Sequence, residues 1–189
     1  PADLVYWRVL YEGYPELIIQ PSLGFEFIAD TLTRGEKMSL STFVENVSPY
    51  PIDSLPVSLR IISANNTTEE LTTVLTNLQA YSALPVVFEK STDAYEGDYQ
   101  VLMEVNPGRM IREFNYNNNI GRLPMHVIAD KVNPLLDVTF DGYHIEDGDL
   151  VGSNPLIMVQ LNDENMNLRL DDTSLFILHL EYPSDIQPR

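Results

Sequence analysis

From residue 97 to residue 105 the chain reads GDYQVLMEV, in which Tyr99, Val101, Met103 and Val105 alternate with Gln100, Leu102 and Glu104. Only an extended strand with one buried face places every second side chain on the same side. The same period of two recurs along the first two thirds of the chain. LVYWRVLY (residues 4–11), FEFIADTL (25–32), MSLSTFVEN (38–46), VSLRIIS (57–63) and LPVVFEKS (84–91) are short, rich in β-branched and aromatic residues, and separated by Gly, Pro and Asn. ELTTVLTNL (70–78) is ambiguous, because Leu71, Val74, Leu75 and Leu78 fit a helical stripe and Thr67 with Glu70 suits a capping box. Its central Thr and Val residues and the turn-forming ANNTT before it favour a strand. Seven or eight strands before Leu123, with no helix between them, predict an antiparallel sandwich of the immunoglobulin kind.

The expected fold class is therefore all-β, as tandem immunoglobulin-like sandwiches over residues 1–125 and 126–189, the second small or incomplete. In the first, the buried face is expected to include Leu40, Phe43 or Val44, Leu59, Ile61, Val101 and Met103. In the second, LLDVTF (135–140), YHI (143–145), PLIMVQL (155–161), NLRL (167–170) and FILHLEY (176–182) supply four or five strands where a full immunoglobulin-like domain uses about seven. About 64 residues bury a small share of their surface, so this second unit is expected to depend on its neighbours and to be poorly soluble or unfolded alone. The linker GRLPMHVIADKVNP (121–134) is expected to be partly ordered against one of the two.

Charge and composition exclude several functions. The 189 residues carry a formal net charge of -17, with a pI near 4.3, and no cluster of Lys or Arg offsets that field. Nucleic acid and anionic membrane surfaces are poor partners for such a chain. There are no cysteines, hence no disulfide framework, thiolate nucleophile or Cys-ligated zinc in this segment. No apolar run approaches the ~20 residues of a membrane helix, so no membrane insertion is expected. The chain opens on Pro1 without a signal peptide, which reads as a piece of something longer.

Three stretches carry a resemblance. ADLVYWRVL, GEKMSLSTFVENVSPYPIDSLPVSLRI and GDYQVLMEVNPGRMIREFNYNNNI resemble the bacterial cell-adhesion-related domain known as CARDB, in which an opening Asp-Leu strand leads to a strand ending in Asn and a late V-D-P-x-n-x-I-x-E-x-n-E-x-N-N segment closes the sandwich. Asn106-Pro107, Ile111, Glu113 and Asn117-Asn118 take the corresponding places, with Asn106 standing where the family has Asp. The stretch from Asn133 to Pro183 resembles the segment that follows such a module in large secreted Bacteroidetes proteins, which are similar to gingipain-type cysteine peptidases and to the type IX secretion sortase. That resemblance implies a secreted or cell-surface parent, with the peptidase domain and its Cys and His lying N-terminal to this piece.

MIREFNYNNNIGRLP (110–124) holds Asn115 and Asn117 to Asn119 within five positions. Asn tolerates left-handed backbone and bonds neighbouring peptide groups, so the run reads as the end of the last strand and an interdomain corner, punctuated by Gly121 and Pro124. Residues 1–125 hold 8 basic and 16 acidic side chains, a net of -8, and residues 126–189 hold 3 and 12, a net of -9 in about half the length. The acidic loops DGYHIEDGDLVG (141–152) and NDENMNLRLDDTS (162–174) invite calcium, yet neither has the Asp-x-Asp-x-Asp-Gly spacing of an EF-hand. Asp-Gly hairpin turns explain the first, and a cap at Asp171-Asp172 explains the second.

His179 falls on the polar face of its strand, and His144 lies near several acids without a nucleophile-elbow motif. Trp7 with Tyr6, Tyr11 and Tyr14 suits core and corner packing as well as a sugar platform. No catalytic, cofactor-binding or metal-ligating residue is assigned. The expected function is a non-catalytic structural and interaction segment whose partners are neighbouring domains of the same polypeptide and cell-surface or secretion-system proteins. The alternative is a calcium- or glycan-dependent binding module.

Overall fold

A computed structural model describes residues 13–168 together with Tyr6, Arg8, Val9, Ile177 and His179. It divides into two compact units, residues 1–129 and 130–189. The described strands are β1 (Leu17–Ile19), β2 (Phe25–Ile28), β3 (Thr31–Thr33), β4 (Lys37–Asn46), β5 (Ile52–Ser63), β6 (Thr68–Leu78), β7 (Ala83–Ser91), β8 (Gly97–Val105), β9 (Ile120–Ile128), β10 (Leu135–Phe140) and β11 (Ile157–Asn162).

The first unit is a β-sandwich. In one sheet β4 is central, pairing antiparallel with β7 along one edge and with β1 and then β2 along the other. The other sheet runs β3-β9-β8-β5-β6, antiparallel except for the parallel β3–β9 pair. The alternation in the sequence decides which side chains meet. Met38, Leu40 and Val44 of β4 are buried, as are Leu55, Val57, Leu59 and Ile61 of β5 and Val101, Met103 and Val105 of β8. The expected core residues Leu40, Val44, Leu59, Ile61, Val101 and Met103 are all in this set, while Phe43 is only half-buried.

β4, β6, β7 and β8 lie where the alternation places them, and β10 covers the expected residues 135–140. Three expectations are corrected. Residues 25–32 form two strands in different sheets, because the chain leaves one sheet after Ile28 and enters the other at Thr31, where Asp30 Oδ1 accepts the Thr31 N–H at 2.9 Å. Residues 120–128 are a full strand, so Gly121 and Pro124 lie inside β9, and a boundary after residue 125 would cut it. Pro124 is tolerated there because His126 N, two residues on, donates to Asp30 on the β3 side, whereas β3 covers only His126 to Ile128. The missing N–H of Pro124 therefore faces an uncovered edge. The opening strand among the described residues is β1, which the sequence reading missed; the expected strand over residues 4–11 lies outside them, apart from Tyr6, Arg8 and Val9, which are exposed.

The edges of the two sheets are fastened by side chains. Lys90 of β7 pairs with Glu69 of β6, and the Tyr95 hydroxyl donates to Glu69 Oε2 at 2.5 Å. Lys90 first and Tyr95 second hold the Glu69 carboxyl below its usual range, while burial and Glu69 push the Tyr95 phenol up. A carboxyl with a lowered folded-state pKa supplies stability above its unfolded value and loses it as pH falls through the folded value. The difference in denaturation midpoint between the wild type and Glu69→Gln should therefore shrink as pH falls from neutrality toward 3. A difference that grows on acidification would refute the fastening.

In the second unit β10 and β11 pair antiparallel from Leu135↔Asn162 to Phe140↔Ile157. Asp141 and Gly142 take positive φ of 52° and 86°, so the chain turns tightly after β10. Residues 143–145, expected as a strand, contribute only an isolated bridge between Phe140 and Tyr143. The expected strand over residues 176–182 and the Asp171-Asp172 cap lie outside the described residues, and of the expected strand over 167–170 only Asn167 and Leu168 are described, in a turn.

Candidate functional site

The polar chemistry of the first unit concentrates where β8 ends. Asn106, buried, takes φ 55° and ψ 53°, a left-handed conformation that Asn adopts more readily than most residues. Its side chain accepts the Ile111 N–H at 3.0 Å and donates to Ile111 O at 2.6 Å, closing the loop on one carboxamide. The same Nδ2 donates to Glu113 Oε1 at 2.5 Å. Glu113 is only 6% exposed. It also accepts Asn119 Nδ2 at 3.0 Å on both oxygens and the backbone N–H of Leu17 at 3.0 Å. Burial raises its carboxyl pKa; the bonds from Asn119, Asn106 and Leu17 oppose that, and the charge of Glu16 adds to it.

Glu16 works in the opposite direction across the same seam. Its Oε2 accepts the N–H groups of Phe114 and Asn115 at 3.0 and 3.1 Å, and its Oε1 accepts Asn118 Nδ2 at 2.8 Å. Each carboxylate thus fastens the other's chain segment, tying the β8–β9 connection to β1. Asn115 Oδ1 accepts the Asn117 N–H at 3.1 Å, and residues 117–119 form a single 3₁₀ turn leading into β9. The asparagine run is therefore a turn within the first unit rather than an interdomain corner. The Oδ1 atoms of Asn118 and Asn119 are buried without a hydrogen-bond partner among the described residues.

A second carboxamide does similar work at the end of β4, where Asn46 stands opposite Leu17 in the strand register. Asn46, fully buried, donates to Tyr50 O at 2.7 Å and Gln79 O at 3.2 Å and accepts both the N–H and the hydroxyl of Ser48. The resemblance drew attention to Glu113, but Asn46, Glu16 and the pairing of the two carboxylates were not singled out from the sequence. The remaining signals were an Asn closing a strand and one Glu beside Arg112 ahead of the asparagine run.

Above the seam lie aromatic rings and guanidinium groups. Tyr14 and Phe114 meet edge to face at 5.7 Å between centroids, Arg112 sits 4.2 Å from the Tyr14 ring centre, and Arg109 sits 4.6 Å from that of Tyr116. Trp7 and Tyr11 lie outside the described residues. In the second unit His144 Nε2 lies 2.6 Å from Asp137 Oδ1 on an exposed surface, Asp141 Oδ1 accepts the Leu156 N–H, and Asp149 Oδ2 accepts the Glu146 N–H. Those aspartates serve turns. Among the described residues no three His, Cys, Asp or Glu side chains converge as metal ligands, and no helix is long and apolar enough to cross a membrane. Between the sheets an apolar cleft of about 270 Å³ is lined by Ile19, Phe25, Leu40, Met103 and Leu123 with Thr42.

No family model matches the chain, and the search of curated proteins gave no match. Solved structures do resemble it. A CARDB domain from Pyrococcus furiosus, solved in complex with di-metal ions, is 19% identical over 64% of this chain and 100% of its own, with a TM-score of 0.49. A domain ascribed to a cell-surface protein of Methanosarcina acetivorans is 19% identical over 61% of this chain and 94% of its own, with a TM-score of 0.46. A β-glucosidase from Listeria innocua is 14% identical over 64% of this chain and 17% of its own, with a TM-score of 0.45. These likenesses concern the all-β fold alone.

Proposed function

We propose that the chain is a non-catalytic structural and interaction segment of a larger secreted or cell-surface bacterial protein. The observation that supports this most is the Glu16–Glu113 seam, in which both carboxylates are spent on backbone N–H groups and on the NH₂ groups of Asn106, Asn118 and Asn119. Its partners in this reading are adjacent domains of the same polypeptide and proteins of the surface or secretion machinery. The resemblance of residues 133–183 to segments of gingipain-like Bacteroidetes proteins supports a parent that carries a cysteine peptidase domain upstream; a parent sequence lacking such a domain would remove that context and leave the sandwich reading standing.

A thermal-shift series with calcium chloride, EDTA and a glycan panel tests the reading, because a ligand that binds only the folded state raises the melting temperature. The expected result is an unchanged melting temperature throughout. A rise that saturates with calcium or with one glycan would replace the structural role by a binding one.

A further inference from the structure

In a chain of net charge -17, the segment over residues 106–119 is an exception. Its one acid, Glu113, is buried, while Arg109, Met110, Arg112 and Phe114 are exposed, Met110 at 80% and Phe114 at 67%. Neither guanidinium forms an ion pair among the described residues. Each instead stands over a tyrosine ring, Arg109 on Tyr116 and Arg112 on Tyr14. Such stacking orders a long side chain while leaving its N–H groups able to bond carboxylates. The backbone beneath is held by the Glu16–Glu113 seam. Aromatic, Met and Arg side chains on a rigid base are what protein interfaces select for their centres.

The complementary chemistry is present in the same chain. The loop over residues 141–152 is exposed throughout and carries Asp141, Glu146, Asp147 and Asp149 around apolar side chains, with Tyr143 largely exposed and Leu150 wholly so. We propose that the basic aromatic surface over residues 109–116 docks the acidic loop over residues 141–152 of a second copy, joining copies head to tail. Glu146 and Asp147 meet Arg109 and Arg112, and Leu150 meets Met110 and Phe114. Because the two surfaces differ, the contact is heterologous and repeats from copy to copy. A guanidinium already covering one face of its tyrosine leaves less ring for stacking on a sugar, which favours a protein occupant over a glycan. The proposal rests on the reading of the chain as an interaction segment and names its partner.

Sedimentation velocity on the whole chain tests it, read as the dependence of the weight-average coefficient on concentration at low and high salt. Association is expected at about 50 mM salt and is expected to vanish at about 500 mM, where charge pairs are screened. Arg109→Glu with Arg112→Glu should raise the apparent dissociation constant at least about tenfold, and Glu146→Lys with Asp147→Lys should do the same from the other side. Mixing the two reversed variants should restore association, since the acidic surface of one then faces the basic loop of the other. Circular dichroism melts verify that both variants are folded. A monomer at every concentration, association that survives both reversals, or no recovery on mixing would overturn the proposal. None of these outcomes bears on the ligand-induced melting shifts that test the reading it rests on.

Discussion

Glu113→Ala should be the most damaging polar substitution among the described residues, lowering stability by about 3–5 kcal/mol, because it strands the Leu17 N–H and the carboxamides of Asn106 and Asn119 inside the sandwich. Urea denaturation reads the loss, and hydrogen exchange at the Leu17 amide localises it to the β1 seam. Glu113→Gln keeps one acceptor oxygen but turns an NH₂ toward donors, so it should cost less yet still destabilise. The pH dependence has a definite sign. A carboxyl whose folded-state pKa is raised is most favourable to folding while protonated, and that advantage is lost as pH rises from its unfolded value through its folded one. The margin of wild type over Glu113→Gln should accordingly be larger near pH 4 than at pH 7, opposite in direction to the margin over Glu69→Gln. A Glu113→Ala variant with an unchanged midpoint and a protected Leu17 amide would show that the seam is incidental.

Truncations in the core should cost about as much. Leu59 of β5 is fully buried and lies between Leu71 of β6 and Met103 of β8 in the strand register. Leu59→Ala and Met103→Ala should each cost about 2–5 kcal/mol, through lost apolar transfer and the cavity left behind. Their effects should not add, because the two side chains are direct cross-strand neighbours sharing one space. Val101→Ala, two residues from Met103 on the same face of β8, should also lower the midpoint. Midpoints unchanged for both Val101→Ala and Met103→Ala would mean that the buried face of β8 is the opposite one.

Much of the fold is legible because alternation is a local signal. GDYQVLMEV fixes both the extent and the phase of β8, and LLDVTF marks the extent of β10. The long edge strand β6 is recovered despite its helical stripe, since Thr and Val suit a pleat. Legibility ends where long-range pairing overrides local chemistry. Ile120–Ile128 carries Asn before it and Gly and Pro within it, all turn signals, yet pairing with β8 on one side and with β3 at its far end holds it extended. The break in residues 25–32 is likewise a matter of which sheet each half joins, and no pattern within eight residues reveals that. The seam was illegible for a different reason. Glu16 and Glu113 are 97 positions apart, each an ordinary glutamate in its own neighbourhood, and only the fold brings the N–H of Leu17 to Glu113.

A net charge of -17 says nothing of where the eleven basic residues lie. Folding buries Glu113 and leaves Arg109 and Arg112 outside, which makes one surface locally basic. A sum over the sequence cannot show this, because burial removes charges from the surface selectively.

In the proposed reading, the carboxylates and carboxamides of the β8–β9 connection hold the fold together rather than hold a ligand. Its most direct test is a calcium titration of the whole chain followed by amide-proton NMR, since calcium prefers carboxylate and carboxamide oxygens and Asn118 and Asn119 each keep a buried oxygen unpartnered. The signals of Leu17, Ile111, Glu113 and Asn119 should stay in place into the millimolar range, while Glu113→Ala should displace them without any calcium. Saturable movement of those signals at lower calcium, abolished in Glu113→Gln, would make the seam a cation site and contradict the account.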